Sequence, residues 1–388
     1  MRTQKANNNH QTEAHWNNKY TLFSESVALL QKLISTPSFS GQESEAASIV
    51  EKHLTGLDIP VKRHLNNVWA FNKYFDPGYP TILLNSHLDT VKPNEGYTRD
   101  PFFPEITDGK LYGLGSNDAG GCLISLMAAF INFYHQQHIG FNLCFAATAE
   151  EENSGDNGIK AVLPFLGKLD FAIVGEPTLL QMAIAEKGNM VLDCVCEGKP
   201  GHAAREEGDN AIYKCLNDLE WFKTFRFTQS PVNIDPVKMT VTEIKAGMQH
   251  NIVPGTCQFT VDIRNDATIS QQVILEVIRK NIHSKFTVRP ACLRASSVPY
   301  NHPVISTGVS LGCKTYSSPT SSDWAFLNCP SVKFGPGDSA RSHSSDEYIF
   351  LEDIKKGIIL YIRLLERLPF QLINNPFSSK NEINIINN

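Results

Sequence analysis

The amino-acid sequence predicts an α/β protein: a largely parallel sheet covered by helices, into which a ferredoxin-like βαββαβ domain is inserted. Two observations support this fold class. Short strands that are apolar throughout alternate with helical segments over residues 22–174, which is typical of a parallel sheet buried on both faces. From residue 187 the order changes to βαββαβ over about 110 residues, and short strands with a final helix return at residues 303–365.

The elements of the larger domain follow from hydrophobic spacing. Apolar residues recur at helical intervals in residues 22–34 and 43–55, and the Ser40-Gly41 break separates these two helices. Apolar runs predict strands, and a longer apolar segment before the third of them predicts a buried helix. The predicted strands are residues 68–71, 81–84, 141–148 and 171–174, and the buried helix is residues 121–133.

The smaller domain is predicted from six consecutive segments. They are a strand at 190–196, a helix at 210–222, strands at 237–244 and 256–263, a helix at 269–282 and a strand at 286–295. We therefore expect a large domain formed by residues 20–186 and 296–370, interrupted by a small domain at 187–295, with a last amphipathic helix at 351–365. The Asn-rich residues 1–19 and 371–388 are expected to be solvated tails.

The composition excludes several functional classes. With 41% hydrophobic and 19% charged residues, the chain resembles an ordinary globular protein. A formal net charge of -5, without a run of Lys or Arg, argues against a nucleic-acid partner. No apolar stretch reaches the roughly 18 residues that span a bilayer, and the N-terminal residues lack the apolar core of a secretory signal. We expect a cytoplasmic protein without a membrane partner.

The nine cysteines are spread through apolar segments, and Cys194 and Cys196 form C-V-C rather than C-x-x-C. This pattern favours buried, reduced thiols over a structural thiol metal site.

A histidine and an aspartate follow the strand predicted at 81–84, in the stretch Ser86-His87-Leu88-Asp89-Thr90. If the strand geometry continues, His87 and Asp89 point to the same side because residues two apart share a face. The Asp89 carboxylate could then accept the second ring N–H of a metal-bound His87. A hydrogen-bonded structural histidine is the alternative.

A glycine-rich turn containing Asp118 precedes the buried helix, in the stretch Gly113-Leu-Gly-Ser-Asn-Asp118-Ala-Gly-Gly121. Glycines before a helix could expose N–H groups to a phosphate. However, the Walker spacing with its Lys is missing, and Asp118 would repel a phosphate. Asp118 is therefore interpreted as a metal ligand.

Further acids stand at two strand ends, and a histidine lies in a late loop. They are Glu150, Glu151 and Glu152 after residues 141–148, Glu176 after residues 171–174, and His343 in a loop rich in Gly and Ser. Ligands bind at the carboxyl ends of parallel strands, so these side chains can converge. Five N and O ligands with one further carboxylate as base suit two zinc-like divalent ions. An ordinary loop histidine is the alternative for His343.

These motifs resemble a known family. S-H-L-D-T, N-D-A-G-G, A-E-E-E, G-E-P-T and S-A-R-S-H occur in this order between residues 22 and 366. Together they resemble the di-zinc amidohydrolases and peptidases that include acetylornithine deacetylase, succinyl-diaminopimelate desuccinylase, aminoacylase and glutamate carboxypeptidase. The resemblance is strongest to the acetylornithine deacetylase branch. It implies hydrolysis of N-acetyl- or N-succinyl-ornithine or citrulline in arginine biosynthesis. A di- or tripeptidase, a carboxypeptidase or an inactive metal-binding protein are alternatives.

The resemblance also implies individual roles. His87 would bind one metal with support from Asp89, Asp118 would bridge both ions, and a cis peptide would follow it at Asp118-Ala119. In the glutamate run, Glu150 would be a flanking structural acid, Glu151 the general base and Glu152 a ligand. Glu176 and His343 would complete the ligand set. The expected ions are two Zn²⁺, for which Co²⁺ can substitute.

In the small domain the resemblance implies substrate contacts and a dimer. His202, in G-K-P-G-H, would reach across a homodimer formed through this lid domain and stabilise the oxyanion. Asn251 and Arg264 would hold the substrate carboxylate, which suits the guanidinium fork. For Arg264 a surface salt bridge is the alternative, and for His202 an ordinary loop histidine. Ser321, Ser322 and Asp323 resemble a substrate-side loop whose role is open.

Overall fold

The computed structural model describes residues 21–205, 207–227, 237–290 and 292–368. These residues divide into two compact units. The first comprises residues 21–182, Pro299–Lys314 and residues 328–368, and the second comprises Ala183–Val298 with Thr315–Leu327. The predicted domain bounds stay a prediction, and both predicted tails lie wholly outside the described residues.

Among the described residues, six helices agree closely with the predicted segments, and two further short helices, at residues 159–166 and 303–310, have no predicted counterpart. The helices are α1 (residues 21–34), α2 (Ser44–Thr55), α3 (Gly121–Tyr134), α4 (Ile159–Leu166), α5 (Ala211–Thr224), α6 (Gln271–Asn281), α7 (Pro303–Ser310) and α8 (Leu351–Arg367). None of these helices combines the length and the apolar character needed to cross a bilayer.

The strands are short. They are β1 (Lys62–His64), β2 (Asn67–Phe71), β3 (Thr81–His87), β4 (Ile106–Thr107), β5 (Lys110–Tyr112), β6 (Asn142–Thr148), β7 (Phe171–Val174), β8 (Met182–Glu186), β9 (Gly188–Glu197), β10 (Gly201–His202), β11 (Lys238–Ala246), β12 (Ile252–Val253), β13 (Thr256–Asn265), β14 (Lys285–Val288), β15 (Ser296–Ser297), β16 (Thr315–Ser318), β17 (Ser331–Lys333) and β18 (Tyr348–Phe350).

The first unit is built on a mixed sheet whose centre is parallel. Its strand order is β1-β2-β6-β3-β7-β17, with β3 parallel to β6 and β7, and β17 parallel to β7. Every residue of β3, β6 and β7 is buried, which explains why these strands are apolar throughout. The prediction of a largely parallel α/β sheet is confirmed. A small antiparallel sheet of β18, β5 and β4 accompanies it.

Two helices of the first unit pack on each other beside this sheet. Helix α3 is buried along almost its whole length, and it packs against α8, β3 and β6. The start of α3 leaves no room for a larger residue, since a Cβ on Gly121 would lie 2.3 Å from the Ile349 side chain. This close packing places the turn before α3, which carries Asp118, next to β18.

The second unit contains an antiparallel sheet with the order β11-β13-β9-β14. Together with α5 and α6 this is a βαββαβ arrangement of the ferredoxin-like kind. Residues of β9 alternate between buried and half-buried, because one face of the sheet packs on the core that includes Cys215 and Ile274. The role of this unit as a lid and dimerisation domain stays a prediction.

The last predicted strand of this unit is longer than the observed one. Strand β14 ends at Val288, whereas residues 286–295 were predicted. Pro290 lacks the N–H that a continued ladder would need. Beyond it, an isolated bridge joins Leu293 to Asn189.

Candidate metal centre and active site

His87 is the last residue of β3 and is 2% exposed. Its Nδ1 lies 2.9 Å from the Asp89 carbonyl oxygen and 3.5 Å from the Asp89 carboxylate. Because a carbonyl only accepts, Nδ1 donates to it, and Nε2 is the ring nitrogen that faces the acids. Nε2 lies 3.3 Å from Asp118 and 3.9 Å from Glu176. The closest acceptor of the ring N–H is thus the carbonyl of Asp89, where the sequence suggested its carboxylate.

Asp118 lies in the turn Ser116–Gly120, and the peptide bond from Asp118 to Ala119 is cis, as the family resemblance implies. The buried side chain of Glu347 binds the backbone of this turn. The carboxylate of Glu347 accepts the backbone N–H groups of Gly115, Asn117 and Asp118. The phosphate-cradle alternative is not supported, because these three donors already bind a carboxylate.

The glutamate run begins just after β6 and is also held by a carboxylate. Asp89 accepts the N–H of Glu151 at 3.0 Å and that of Glu152 at 3.1 Å. Glu150 has a left-handed backbone, with φ of 54°, and its carboxylate accepts hydrogen bonds from the backbone and side chain of Asn157. The Glu150 side chain is therefore bound to Asn157, while the backbone of the next two glutamates is held by Asp89.

Glu176 and His343 complete the cluster. Glu176 is buried just after β7, and its Oε1 has no hydrogen-bond partner. His343 has a left-handed backbone, with φ of 59°, and its Nε2 lies 2.8 Å from Glu152 and 3.8 Å from Asp118. All of these residues belong to the first unit.

Two groups in this cluster are compact enough to hold a metal ion. The first group is His87, Asp118 and Glu152, and the second is His87, Glu151 and Glu176. In each group the ligand atoms lie within 4.8 Å of one another. His343 is next to the first group through Glu152. The structure therefore brings together the five proposed ligands and Glu151, and it leaves Glu150 outside both groups.

The electrostatics of the cluster favour bound cations. Burial, and then the neighbouring Asp118 carboxylate, raise the pKa of Glu176 to about 8. The hydrogen bond to Glu152 raises the pKa of His343 to about 9. Crowded carboxylates resist ionisation together unless positive charge is supplied. The partnerless Oε1 of Glu176 and the mixed imidazole and carboxylate donors fit divalent ions of the zinc type.

His202 and Asn251 lie side by side in the second unit. His202 is exposed in β10 and pairs with Ile252 of β12, while the carbonyl of Asn251 accepts the N–H of Ala203. The Ala204 N–H donates to His202 Nδ1 at 3.1 Å. A neutral His202 must therefore carry its proton on Nε2 and present it as a donor.

Arg264 and the Ser321–Asp323 segment make contacts within the second unit. The guanidinium of Arg264 binds Asp262 through two hydrogen bonds, of 2.8 and 3.0 Å. This contact is the salt bridge that the sequence leaves open as the alternative. Ser321 donates to the Lys187 carbonyl and Ser322 donates to Glu186. The substrate roles of Asn251 and Arg264 stay predictions.

One residue of the site was missed at the level of sequence. This residue is Glu347, four residues after His343. Its position directly before the strand β18 is a weak signal, because burial of a carboxylate depends on partners that lie far away in the chain.

Curated relatives cover nearly the whole chain. This chain is 28% identical over 395 residues to succinyl-diaminopimelate desuccinylase of Wolbachia pipientis wMel, and the alignment covers 93% of this chain and 97% of the relative. The same enzyme of a Wolbachia from Brugia malayi (strain TRS) is 28% identical over 401 residues, with the same coverage.

Solved structures share the fold. Aminopeptidase PepT from Bacillus cereus ATCC 10987 superposes with a TM-score of 0.72 at 19% identity, covering 89% of this chain and 98% of that one. The Bacillus subtilis YXEP protein, described as a dinuclear metal-binding peptidase, superposes with a TM-score of 0.71 at 15% identity, with the same coverage. Residues 83–367 match the model of peptidase family M20/M25/M40, so the chain belongs to this family and is one of its hydrolases.

Proposed function

We propose that this protein hydrolyses the amide bond of an N-acyl amino acid at a site that holds two divalent metal ions. The observation that carries the proposal is the convergence of five N and O ligands around one additional glutamate, Glu151. His87, Asp118 and Glu176 would hold one ion, and Asp118, Glu152 and His343 the other. We propose Zn²⁺, with Co²⁺ able to substitute, because imidazole and carboxylate ligands suit both.

Glu151 is the proposed general base. The metal pair, when bound, supplies Lewis acidity that lowers the pKa of water near the acyl carbonyl. Glu151 takes a proton from the attacking water, the water oxygen forms a bond to the acyl carbon, and the C–N bond then breaks. Glu151 returns the proton to the leaving amine nitrogen. The backbone hydrogen bond from Glu151 to Asp89 keeps this side chain beside the ligands.

His202 is proposed to stabilise the oxyanion through its Nε2–H. The hydrogen bond from Ala204 to Nδ1 supports this role, because it selects the tautomer that donates from Nε2. Asn251 and Arg264 are proposed to bind the substrate carboxylate. For Arg264, the contact with Asp262 uses Nε and Nη2, so Nη1 remains for a second carboxylate.

The substrate class that we propose is an N-succinyl or N-acetyl derivative of a diamino acid or of citrulline. N-acylated ornithine and citrulline follow from the motif resemblance, which would place the reaction in arginine biosynthesis. The succinyl-diaminopimelate desuccinylases that this chain resembles add N-succinyl-diaminopimelate as a candidate. The leaving group in each case is the α-amine of a free amino acid.

A homodimer formed through the second unit is also part of the proposal. Strand β11 is an edge of its sheet, and Ile244 on this strand is 54% exposed, while Tyr213 on α5 is 70% exposed. Exposed apolar side chains beside an unpaired edge favour association. Sedimentation analysis should give a dimer, and a monomer at micromolar concentration would contradict this. A cytoplasmic location is proposed because all nine cysteines are free thiols.

The experiment that tests the function is a substrate panel on the Zn²⁺-loaded protein. The panel contains N-acetylornithine, N-succinylornithine, N-acetylcitrulline, N-succinyl-diaminopimelate, and small di- and tripeptides. We expect release of the free amino acid from at least one acylated substrate and no turnover of the peptides. Turnover of the peptides alone would favour a di- or tripeptidase or a carboxypeptidase. Two bound metal equivalents without any amide hydrolysis would indicate an inactive metal-binding protein.

A further inference from the structure

Glu347 is a buried carboxylate whose oxygens accept backbone N–H groups of the turn carrying Asp118. It is 2% exposed. Its Oε1 accepts the N–H of Asn117 and that of Asp118, both at 2.8 Å, and its Oε2 accepts the N–H of Gly115 at 3.0 Å. Three hydrogen bonds from successive parts of one turn fix the position of this side chain.

Glu347 stands four residues after His343, so it joins two parts of the metal site. Its own carbonyl accepts the N–H of Gly113 at 2.9 Å, which adds a fourth contact to the same turn. The segment from His343 to Glu347 is therefore attached directly to the segment that carries Asp118.

The His343 segment needs such attachment. His343 has a φ of 59°, a conformation that a non-glycine residue keeps only when its surroundings hold it. On the other side of the segment, Asn94 donates to the His343 carbonyl, and Asp346 accepts the N–H groups of Thr98 and Arg99. Glu347 supplies the contact on the side that faces Asp118.

We propose that Glu347 is a positioning residue that sets the distance between Asp118 and His343 and thereby the affinity for the second metal ion. This proposal depends on the two-metal function proposed above. Without the Glu347 carboxylate, the Asp118 turn and the His343 segment would lose three of the hydrogen bonds that join them. The contact of Gly113 with the Glu347 carbonyl would remain, and His87 and Glu176 would keep their places at the ends of β3 and β7. The ion held by Asp118, Glu152 and His343 should be affected most.

A carboxylate is required at this position for a simple reason. Three N–H donors point at the side chain, and only a carboxylate offers acceptor lone pairs on both oxygens. In Glu347→Gln, the new NH₂ group would face the backbone N–H of Gly115 or the pair from Asn117 and Asp118. In Glu347→Asp, both oxygens remain but the side chain is one methylene shorter.

Asp218 offers a matched control in the second unit. It is 1% exposed, and its carboxylate accepts the N–H groups of His283 and Ser284 together with the Ser284 hydroxyl. Asp218→Asn therefore removes a buried carboxylate that binds backbone groups in the same way, but in a place that carries no metal ligand.

The test measures metal binding without a substrate. Zn²⁺ is titrated into the metal-free full-length protein by calorimetry, and visible absorption is recorded with one and two equivalents of Co²⁺. We expect Glu347→Gln to lower the affinity of the weaker site by about 10- to 100-fold and to change the spectrum of the second equivalent of Co²⁺. Glu347→Asp should show a smaller loss, and it provides the test if the Gln variant does not fold. Asp218→Asn should lower Tm and bind both ions as the wild type does.

A different outcome would overturn the proposal. If both Glu347 variants bind two ions with wild-type affinity and only Tm falls, then Glu347 contributes to stability alone. Failure of the proposed amidase function would appear separately, because the substrate panel uses the wild-type protein. The Zn²⁺ titration of the variants requires no substrate.

Discussion

The carboxylate of Asp89 accepts the backbone N–H of Glu151 at 3.0 Å. Its other oxygen accepts the N–H of Glu152 at 3.1 Å. Asp89 thus holds the proposed base and a proposed metal ligand through their backbone, in addition to its contacts with the ring of His87. One buried carboxylate connects the end of β3 with the segment after β6.

Replacing Asp89 by Asn should disturb both connections. One oxygen becomes an NH₂ group that faces an N–H donor, and leaving such a buried donor unsatisfied costs about 1–3 kcal/mol of unfolding free energy. We also expect kcat/KM to fall by about 10- to 100-fold, because the glutamates and His87 lose their fixed orientation. Urea unfolding and steady-state kinetics measure the two effects.

Ser40 provides the control for this variant. Its hydroxyl donates to Asp89 at 2.7 Å, so Ser40→Ala removes a neighbour of Asp89 without removing an acceptor of the glutamate N–H groups. We expect less than about a threefold change in kcat/KM, in line with the loss of one neutral donor. Equal damage from both variants would show that the backbone contacts of Asp89 are not important.

Glu151 and Glu150 should behave very differently when each is changed to Gln. Glu151→Gln should retain two metal equivalents and lose roughly 10²–10⁴ in kcat, because the amide cannot accept a proton. Glu150→Gln should retain most of the activity, since Glu150 contacts Asn157 and not the ligand groups. Elemental analysis measures the metal content of both variants, and steady-state kinetics measures their kcat. An equal loss of kcat in the two variants would mean that the roles of the glutamates are assigned one position out of register.

His202→Ala should reduce kcat by about 10²–10³ with little change in metal content, as expected for removal of an oxyanion donor. His250 is a suitable control because it is also exposed in the second unit, close to Asn251. His250→Ala should leave kcat unchanged. If the two variants have the same activity, His202 has no part in the reaction.

Most of the residues that converge in the candidate metal centre could be proposed from sequence, because their positions depend on local patterns. His87 ends the strand β3, and Glu176 lies two residues after the end of β7, so the strand register determines where these residues emerge. Glu347 could not be predicted, since its role depends on N–H groups of a turn that is distant in the chain. The carbonyl acceptor of His87 was missed for a related reason, because the sequence gives no backbone angles beyond the end of β3.

Removal of the metal ions should destabilise the first unit. Asp118, Glu152 and Glu176 are crowded in a partly buried cluster, and without cations their charges repel one another. Chelation should lower Tm, and added Zn²⁺ should restore it. When free Zn²⁺ is about 100 times its Kd, binding should raise the unfolding free energy by about 2.7 kcal/mol. Differential scanning calorimetry measures this, and a Tm that is insensitive to chelator and to Zn²⁺ would argue against the metal site.

His302 should make the first unit sensitive to acid. Its ring stacks on Phe171 at 4.7 Å between centroids, and its Nδ1 accepts the N–H of Val304 at the start of α7. Burial lowers the pKa of His302 from 6.5 to about 4. Above pH 6.5 the ring is neutral in both states, so it adds no pH dependence. As pH falls from 6.5 to about 4, only the unfolded chain binds the proton, and the unfolding free energy decreases.

The total decrease has an upper limit of about 3 kcal/mol, and partial exposure of the ring reduces it. The Asn side chain in His302→Asn keeps an acceptor for the Val304 N–H but cannot titrate. At pH 7 this variant should be less stable than the wild type, because the stacking on Phe171 is lost. The difference between the two proteins should shrink as pH falls toward 4. Urea unfolding at several pH values measures this, and a constant difference would show that the ring stays neutral or charged equally in both states.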